Sequence, residues 1–216
     1  IRASIVLSLA FKWFCATLIW HPLWLALKCL KSIVHYYRDA GYVLCSKGKA
    51  MNFQQIKLSK IDSVGVITLN APKTLNALTR VMLREFSEAL DICCAPDGGV
   101  RCLMLTGEGR GFSSGANLAD PDAKKIQPPD PGRTLDEIYT PLFLRLRDLE
   151  IPLVVALNGV TAGITMSMAL MGDIILAARS AYFLQPFANI ALIPDGGATW
   201  LLPRFLGKAR AFELSL

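Results

Sequence analysis

Apolar and polar positions change rhythm at about residue 51. Before it, ASIVLSLAFKWFCATLIWHPLWLAL (3–27) is dense in large apolar side chains and is broken by Lys12, His21 and Pro22. Its longest stretch without Lys or Arg, 13–27, has 15 residues, fewer than the roughly 20 that a spanning helix needs. With Lys12 accepted as an end charge, the stretch reads as a marginal membrane helix or signal anchor with the later Lys and Arg on the cytoplasmic side. The other readings are a disordered extension or non-native residues ahead of a start at Met51, and a targeting peptide. The chain therefore divides into a hydrophobic, basic extension, 1–50, and a folded domain, 51–216.

From Met51 the pattern is that of an α/β protein. FQQIKLSKID (53–62) and SVGVITL (63–69) alternate as a strand pair. NAPKTLNAL (70–78) reads as a loop, and Thr79 suits the N-cap of a helix over about 80–94, with Val81, Leu83, Phe86 and Leu90 at helical spacing. CLMLTG (102–107) and LVVAL (153–157) are short apolar runs that predict buried strands. Each leads into glycine: a loop over 107–120, and a turn over 158–163 followed by a helix over 164–172. A Pro-rich, charged stretch at 121–134 predicts a mobile surface loop. A helix follows over 135–149, and DIILAA (173–178) and AYFLQ (181–185) predict short strands. Strand, glycine loop and helix in this order predict a buried sheet with ligands at the loops beyond its strand ends.

Charge changes little in this picture once it is placed along the chain. Residues 1–50 hold seven of the 23 cations and one of the 17 anions, so the whole excess of +6 lies there and 51–216 balances at 16 of each. A basic nucleic-acid face on the domain is unsupported. Six cysteines (Cys15, Cys29, Cys45, Cys93, Cys94, Cys102) include no C-x-x-C pair and read as reduced, mostly buried thiols. Both histidines, His21 and His35, precede residue 51. Within 51–216 this excludes a Ser-His-Asp triad, a Cys-His dyad and a histidine metal site.

Two loops remain as candidates for chemistry. GEGRGFSSGANL does not space its glycines as a phosphate loop. It does match G-x-S-x-G at Gly111, Ser113 and Gly115, but such a serine needs a histidine to take its proton. A third reading is a backbone trap, in which Gly115 turns the chain so that the Ala116 N–H points at an oxygen. NGVTAGITMSMALMGD offers the complement: Gly163 lets a helix start at about Ile164, and the free N–H groups and dipole there favour negative charge. Met166, Met168 and Met171 read as core. Two backbone donors from two loops would make an oxyanion hole; a bland loop and a helix using glycine for close packing remain open.

NAPKTLNAL, GRGFSSGANL, ALNGVTAGITMSMALMGDIILAARSAYF and IALIPDGGATWLLPRFLGKARA together resemble the four signature blocks of the crotonase (enoyl-CoA hydratase/isomerase) family, in order and at family spacing across about 51–216. The similarity is greatest to the ring-epoxide acyl-CoA isomerases of phenylacetate breakdown. It implies a crotonase ββα-spiral fold and an acyl-CoA substrate, with coenzyme A part of that substrate and no separate cofactor or metal. It also implies backbone donors at Ala116 and Ile164, with Ala116, Asn117, Leu118 and Ala119 along the acyl-CoA. A homotrimer or hexamer in a cytoplasmic, full-length protein is implied as well, with membrane contact through 3–27 as an option and a C-terminal helical part lying beyond Leu216.

Departures from the pattern narrow the chemistry. Family hydratases carry two glutamates, and here their places hold Ser167 and Phe187, neither of which can act as a general base. Family isomerases carry one carboxylate after a later proline, and Asp195 follows Pro194 there. The resemblance implies that Asp195 moves a proton beside an enolate, with Ile193 and Trp200 expected to raise its pKa; an ordinary turn aspartate is the other reading. Asp173 reads as structural, and Asp120 and Asp122 as solvated. A hydratase drawing a carboxylate from elsewhere, and a CoA-binding member without turnover, remain alternatives.

Overall fold

The computed structural model describes residues 53–120 and 131–216. The predicted strand pair forms as β1 (Ile56–Ile61) and β2 (Val64–Leu69), antiparallel, with Ile56 opposite Leu69 and Ile61 opposite Val64. β2 then pairs in parallel with β3 (Cys102–Gly107), β3 with β5 (Leu153–Leu157), and β5 with β7 (Ile174–Ala177), giving one sheet in the order β1-β2-β3-β5-β7. β2, β3 and β5 are buried along their whole length. Burial on both faces is why β3 and β5 read as continuous apolar runs, and β2, read as alternating, is instead covered on both faces as well.

A second, smaller sheet was not expected. β4 (Gly111–Ser113), β6 (Val160–Ala162) and β8 (Phe183–Leu184) pair in parallel in the order β4-β6-β8. β4 lies inside the segment read as a loop, and β6 inside the one read as a turn. Two or three residues rich in Gly, Ser and Thr carry no readable period, so the pairing comes from tertiary contact. Its effect is to set the two glycine segments side by side.

Helix α1 (Arg80–Cys93) follows the predicted pattern and buries Leu83, Phe86 and Leu90 against the sheet. Thr79 caps it from an extended conformation, its side chain accepting from the Met82 N–H at 3.1 Å. The helix expected at 135–149 starts earlier: a turn α2 (Pro131–Thr134) runs through a π turn (Leu135–Tyr139) into α3 (Thr140–Arg147). Residues 131–134 are therefore helical instead of loop, because the buried face supplied by Tyr139, Leu142, Phe143 and Leu146 anchors the turn ahead of it. α4 (Ile164–Leu170) is wholly buried, and α5 (Ala198–Leu206) and α6 (Lys208–Ser215) complete the chain order. Met166 and Met168 are core, as their spacing suggested.

Asn76 ties the first glycine segment to the sheet. It is fully buried with a left-handed φ of 55°, a conformation asparagine tolerates better than most residues. Its Oδ1 accepts from the Ala71 N–H at 2.8 Å, and its Nδ2 donates to the carbonyls of Glu108, Gly111 and Phe112 at 2.9–3.1 Å. From the other side Asn158 Nδ2 donates to the carbonyls of Gly109 at 2.7 Å and Gly111 at 3.1 Å.

Cys93 and Cys102 are buried free thiols, burial pushing Cys93 up to about 11, while Cys94 is exposed. Among the described residues no helix is long and apolar enough to cross a membrane. The segment 3–27, Cys15, Cys29, Cys45 and both histidines lie outside them.

Replacing Asn76 by Ala strands several buried partners at once, each costing about 1–3 kcal/mol. Urea unfolding is expected to show a loss of about 3 kcal/mol, and a loss below about 0.5 kcal/mol would contradict this role.

Candidate active site

The first turn is fixed from both sides. Gly115 has φ +98°, and a Cβ placed on it would lie 3.0 Å from the Ala162 carbonyl oxygen and 3.9 Å from the Gly163 Cα. A side chain here is opposed by both conformation and space. The Leu78 N–H donates to the Gly115 carbonyl at 2.8 Å and the Asn117 N–H to the Leu78 carbonyl at 2.9 Å, a one-residue parallel bridge between Leu78 and Ala116. These bonds use the Gly115 carbonyl, which belongs to the same peptide as the Ala116 N–H, and the next N–H along, and leave the Ala116 N–H out. Among the described residues it has no acceptor.

The second turn meets the first. Gly163 has φ 56° and ψ −132°, its N–H donates to the Leu184 carbonyl at 2.9 Å, and α4 begins at the next residue. The Ile164 N–H also has no acceptor among the described residues. Because α4 has only seven residues, its dipole adds little, and the N–H itself is the useful donor. Phe187 is buried beneath this turn, its ring 3.7 Å from where a Gly163 Cβ would stand. Thr165 Oγ1 donates to the Ala162 carbonyl at 2.7 Å and also lies 3.3 Å from the Ser113 carbonyl, linking the two turns.

The turn that carries Asp195 packs against the start of α4. It continues through Gly196 and Gly197, with φ +58° and +90°. A Cβ on Gly196 would come within 2.9 Å of Ile164 Cγ1 and Phe143 Cε1 and 3.0 Å of Ser167 Cβ. The Asp195 carboxyl is half-buried, and its Oδ1 has no hydrogen-bond partner. Burial pushes its pKa up to about 6, while a hydrogen bond from its own backbone pulls the other way. The apolar surroundings differ from those expected. Ile193 is 80% exposed, and Trp200 is 62% exposed with the Arg204 guanidinium 3.0 Å over its ring. Phe143 and Ile164 stand at this turn in their place.

Other candidates separate cleanly. Ser113 is fully buried and its hydroxyl donates to the Asn76 carbonyl at 2.7 Å, so it cannot serve as an exposed nucleophile. Asn117 is half-buried, Leu118 is 78% exposed and Ala119 is exposed; the Ala119 N–H donates to Asn117 Oδ1 at 3.0 Å. They form an open strip leading away from Ala116. Asp173 holds the start of β5: its Oδ2 accepts from the Leu153 N–H at 2.8 Å, and its own N–H donates to the Leu153 carbonyl at 2.9 Å.

Asp120 is not solvated. It is buried, and its Oδ2 accepts from the Arg80 N–H at 2.8 Å, satisfying the first turn of α1 from forty residues away. Asp122 lies outside the described residues. Tyr139 was missed by sequence reasoning. It is buried edge-on to Phe143, and its phenol is pushed up by burial first and then by the charges of Asp195 and Asp120. Only its helical spacing could have placed it on the inner face. Among the described residues no three His, Cys, Asp or Glu side chains cluster to hold a metal ion.

Fold and site together define an α/β protein in which two glycine turns leave backbone donors, and a half-buried carboxylate lies on a turn packed against the helix that one of them begins, an arrangement suited to a carbonyl that gains negative charge. The sequence pattern of the family described as Enoyl-CoA hydratase/isomerase matches residues 59–216. The chain belongs to this family, and its fold is the crotonase ββα spiral. It is 46% identical over 161 residues to the 1,2-epoxyphenylacetyl-CoA isomerase of Escherichia coli (strain K12), covering 74% of this chain and 61% of that protein. It is 38% identical over 166 residues to a probable enoyl-CoA hydratase of Rhodobacter capsulatus, covering 77% and 62%. Among solved structures, an enoyl-CoA hydratase from Geobacillus kaustophilus superposes with a TM-score of 0.67 at 32% identity, covering 76% of this chain and 62% of that one. The chain thus spans about three fifths of the length of these relatives.

The raised Asp195 pKa has a consequence for stability. Its folded value, about 6, lies above the ordinary 3.8, so the folded state favours the proton. The stability this lends is fully present below pH 3.8 and is lost as pH rises through 6. Asp195→Asn removes that loss. The variant is expected to melt about 2 °C higher than the parent at pH 8 after allowance for solvent screening, with the difference closing toward pH 4; equal melting at both pH values would contradict the burial.

Proposed function

We propose that the protein is an acyl-CoA isomerase that shifts a double bond, or opens a ring epoxide, through an enolate. The observation that carries this reading is one half-buried carboxylate, Asp195, on a turn whose Gly196 packs against Ile164, whose N–H has no acceptor among the described residues. In the cycle the thioester oxygen accepts from the Ala116 and Ile164 N–H groups. Asp195, ionised, takes a proton from the carbon next to the thioester. The electron pair moves onto the oxygen, where each backbone donor contributes about 3–4 kcal/mol of barrier lowering. Asp195, now protonated, returns the proton two carbons away, and the double bond ends in its new place. A pKa near 6 suits a group that must take and give the same proton near neutrality.

Ala116, Asn117, Leu118 and Ala119 line the open strip beside the first donor, which supports their role along the acyl-CoA. Coenzyme A enters as part of the substrate, and the cycle draws on no separate cofactor. Exposed Ile193, Trp200, Phe205 and Phe212 leave apolar surface on the last third of the chain, which supports a trimer or hexamer of the full-length protein.

A second reading, enoyl-CoA hydratase, is favoured by the names of several relatives. It lacks a carboxylate at Ser167, which is buried and hydrogen-bonded, and at Phe187, which is buried under the second turn. Three measurements test these readings. Asp195→Asn in the full-length protein is expected to lower isomerase turnover about 10³-fold, and most turnover surviving would reject the assignment. The parent's kcat/KM is expected to rise with pH through an apparent pKa of about 6, because the base must be ionised. Crotonyl-CoA is expected to keep its conjugated thioester absorbance, whereas a steady loss would show hydration.

A further inference from the structure

Ser167 stands where a hydratase glutamate would, yet it is not an idle replacement. Its side chain is fully buried in the middle of α4. The hydroxyl does not bond back to its own helix, the usual outlet for a mid-helix serine; it donates across to the backbone carbonyl of Asp195 at 2.8 Å. The same carbonyl accepts from the Ala198 N–H at 3.0 Å, which closes the turn at the start of α5. One carbonyl oxygen thus joins two helices through the peptide that carries the carboxyl group. Gly196 follows directly, and its Cα approaches so closely that an added Cβ would lie 3.0 Å from Ser167 Cβ. A larger side chain at 167 has nowhere to go without displacing the 195–197 turn.

Resting on the isomerase reading above, we infer that Ser167 is a positioning residue: its hydrogen bond to the Asp195 carbonyl holds the turn that carries the carboxyl against α4, the helix that begins at Ile164, and this contact and a glutamate at 167 exclude one another. A single-carboxylate site is then a packed alternative to the two-carboxylate site and cannot be converted by restoring one acid. The titratable groups facing the turn are few. α4 contributes none, Tyr139 faces it from the helix carrying Phe143, and Arg204 of α5 is engaged over Trp200.

The test reads Asp195 directly. The protein is labelled with carboxyl-¹³C aspartate, the Asp195 resonance is assigned by its loss in Asp195→Asn, and its titration is followed in the parent and in Ser167→Ala. Loss of the hydroxyl frees the turn and lets water reach the carboxyl, so the midpoint is expected to fall toward the ordinary aspartate range. Turnover is expected to drop about tenfold or more with KM nearly unchanged, as for a small misplacement of a catalytic group. Ser167→Cys, close in size but a weaker donor, gives the same reading should the alanine variant fail to fold. An unmoved midpoint overturns the inference. A moved midpoint with full turnover upholds the positioning and instead sinks the catalytic role of Asp195. Ser167→Glu is expected to lose isomerase turnover without gaining hydration, and a folded Ser167→Glu protein with parental isomerase turnover would also overturn it.

Discussion

Two backbone N–H groups, those of Ala116 and Ile164, find no acceptor among the described residues, and the contacts around them hold them still. A free amide in a loop normally finds a carbonyl, since the chain carries as many acceptors as donors. Here the neighbouring backbone groups are committed elsewhere: Leu78 takes the bonds on both sides of Ala116, and Leu184 takes the Gly163 N–H. Positive φ at Gly115 and Gly163 turns the chain where no other residue would do so cheaply. The small β4-β6-β8 sheet, together with Asn76 and Asn158, locks the strands that lead into these turns.

The carboxylate is placed by a different logic. Asp195 lies on a Pro-Asp-Gly-Gly turn whose Gly196 lets the turn press against Ile164 and Phe143. That closeness removes water, which raises the pKa and costs stability at neutral pH. Such a cost is usual where a group is held for chemistry instead of for folding. Ser167 opposes it by fixing the peptide in place, so the helix that would supply one backbone donor in the proposed cycle also holds the turn of its carboxylate.

Much of this was legible in the sequence. Strand β2, buried strands β3 and β5, helix α1 with its Thr79 cap, and the two glycine turns follow from alternation, apolar runs, helical spacing and the conformational freedom of glycine. Illegible were features made only by contacts between distant segments. β4 and β6 are too short to show a period. Asp120 reads as a loop residue until α1, forty positions earlier, is seen to need it. Ile193 and Trp200 lie close to Asp195 in sequence but point to solvent, whereas Phe143 and Ile164, far along the chain, stand against its turn. Sequence could say that Ser167 is no base; only the fold shows what it holds.

An enolate formed with Asp195 as the sole base is tested by proton exchange without any rearrangement of the substrate. A saturated acyl-CoA thioester incubated with the full-length protein in D₂O is followed by proton NMR at the carbon next to the thioester. Loss of that signal is expected at a rate well above buffer alone, with almost no loss in Asp195→Asn. No exchange above buffer, or equal exchange by both proteins, would contradict it.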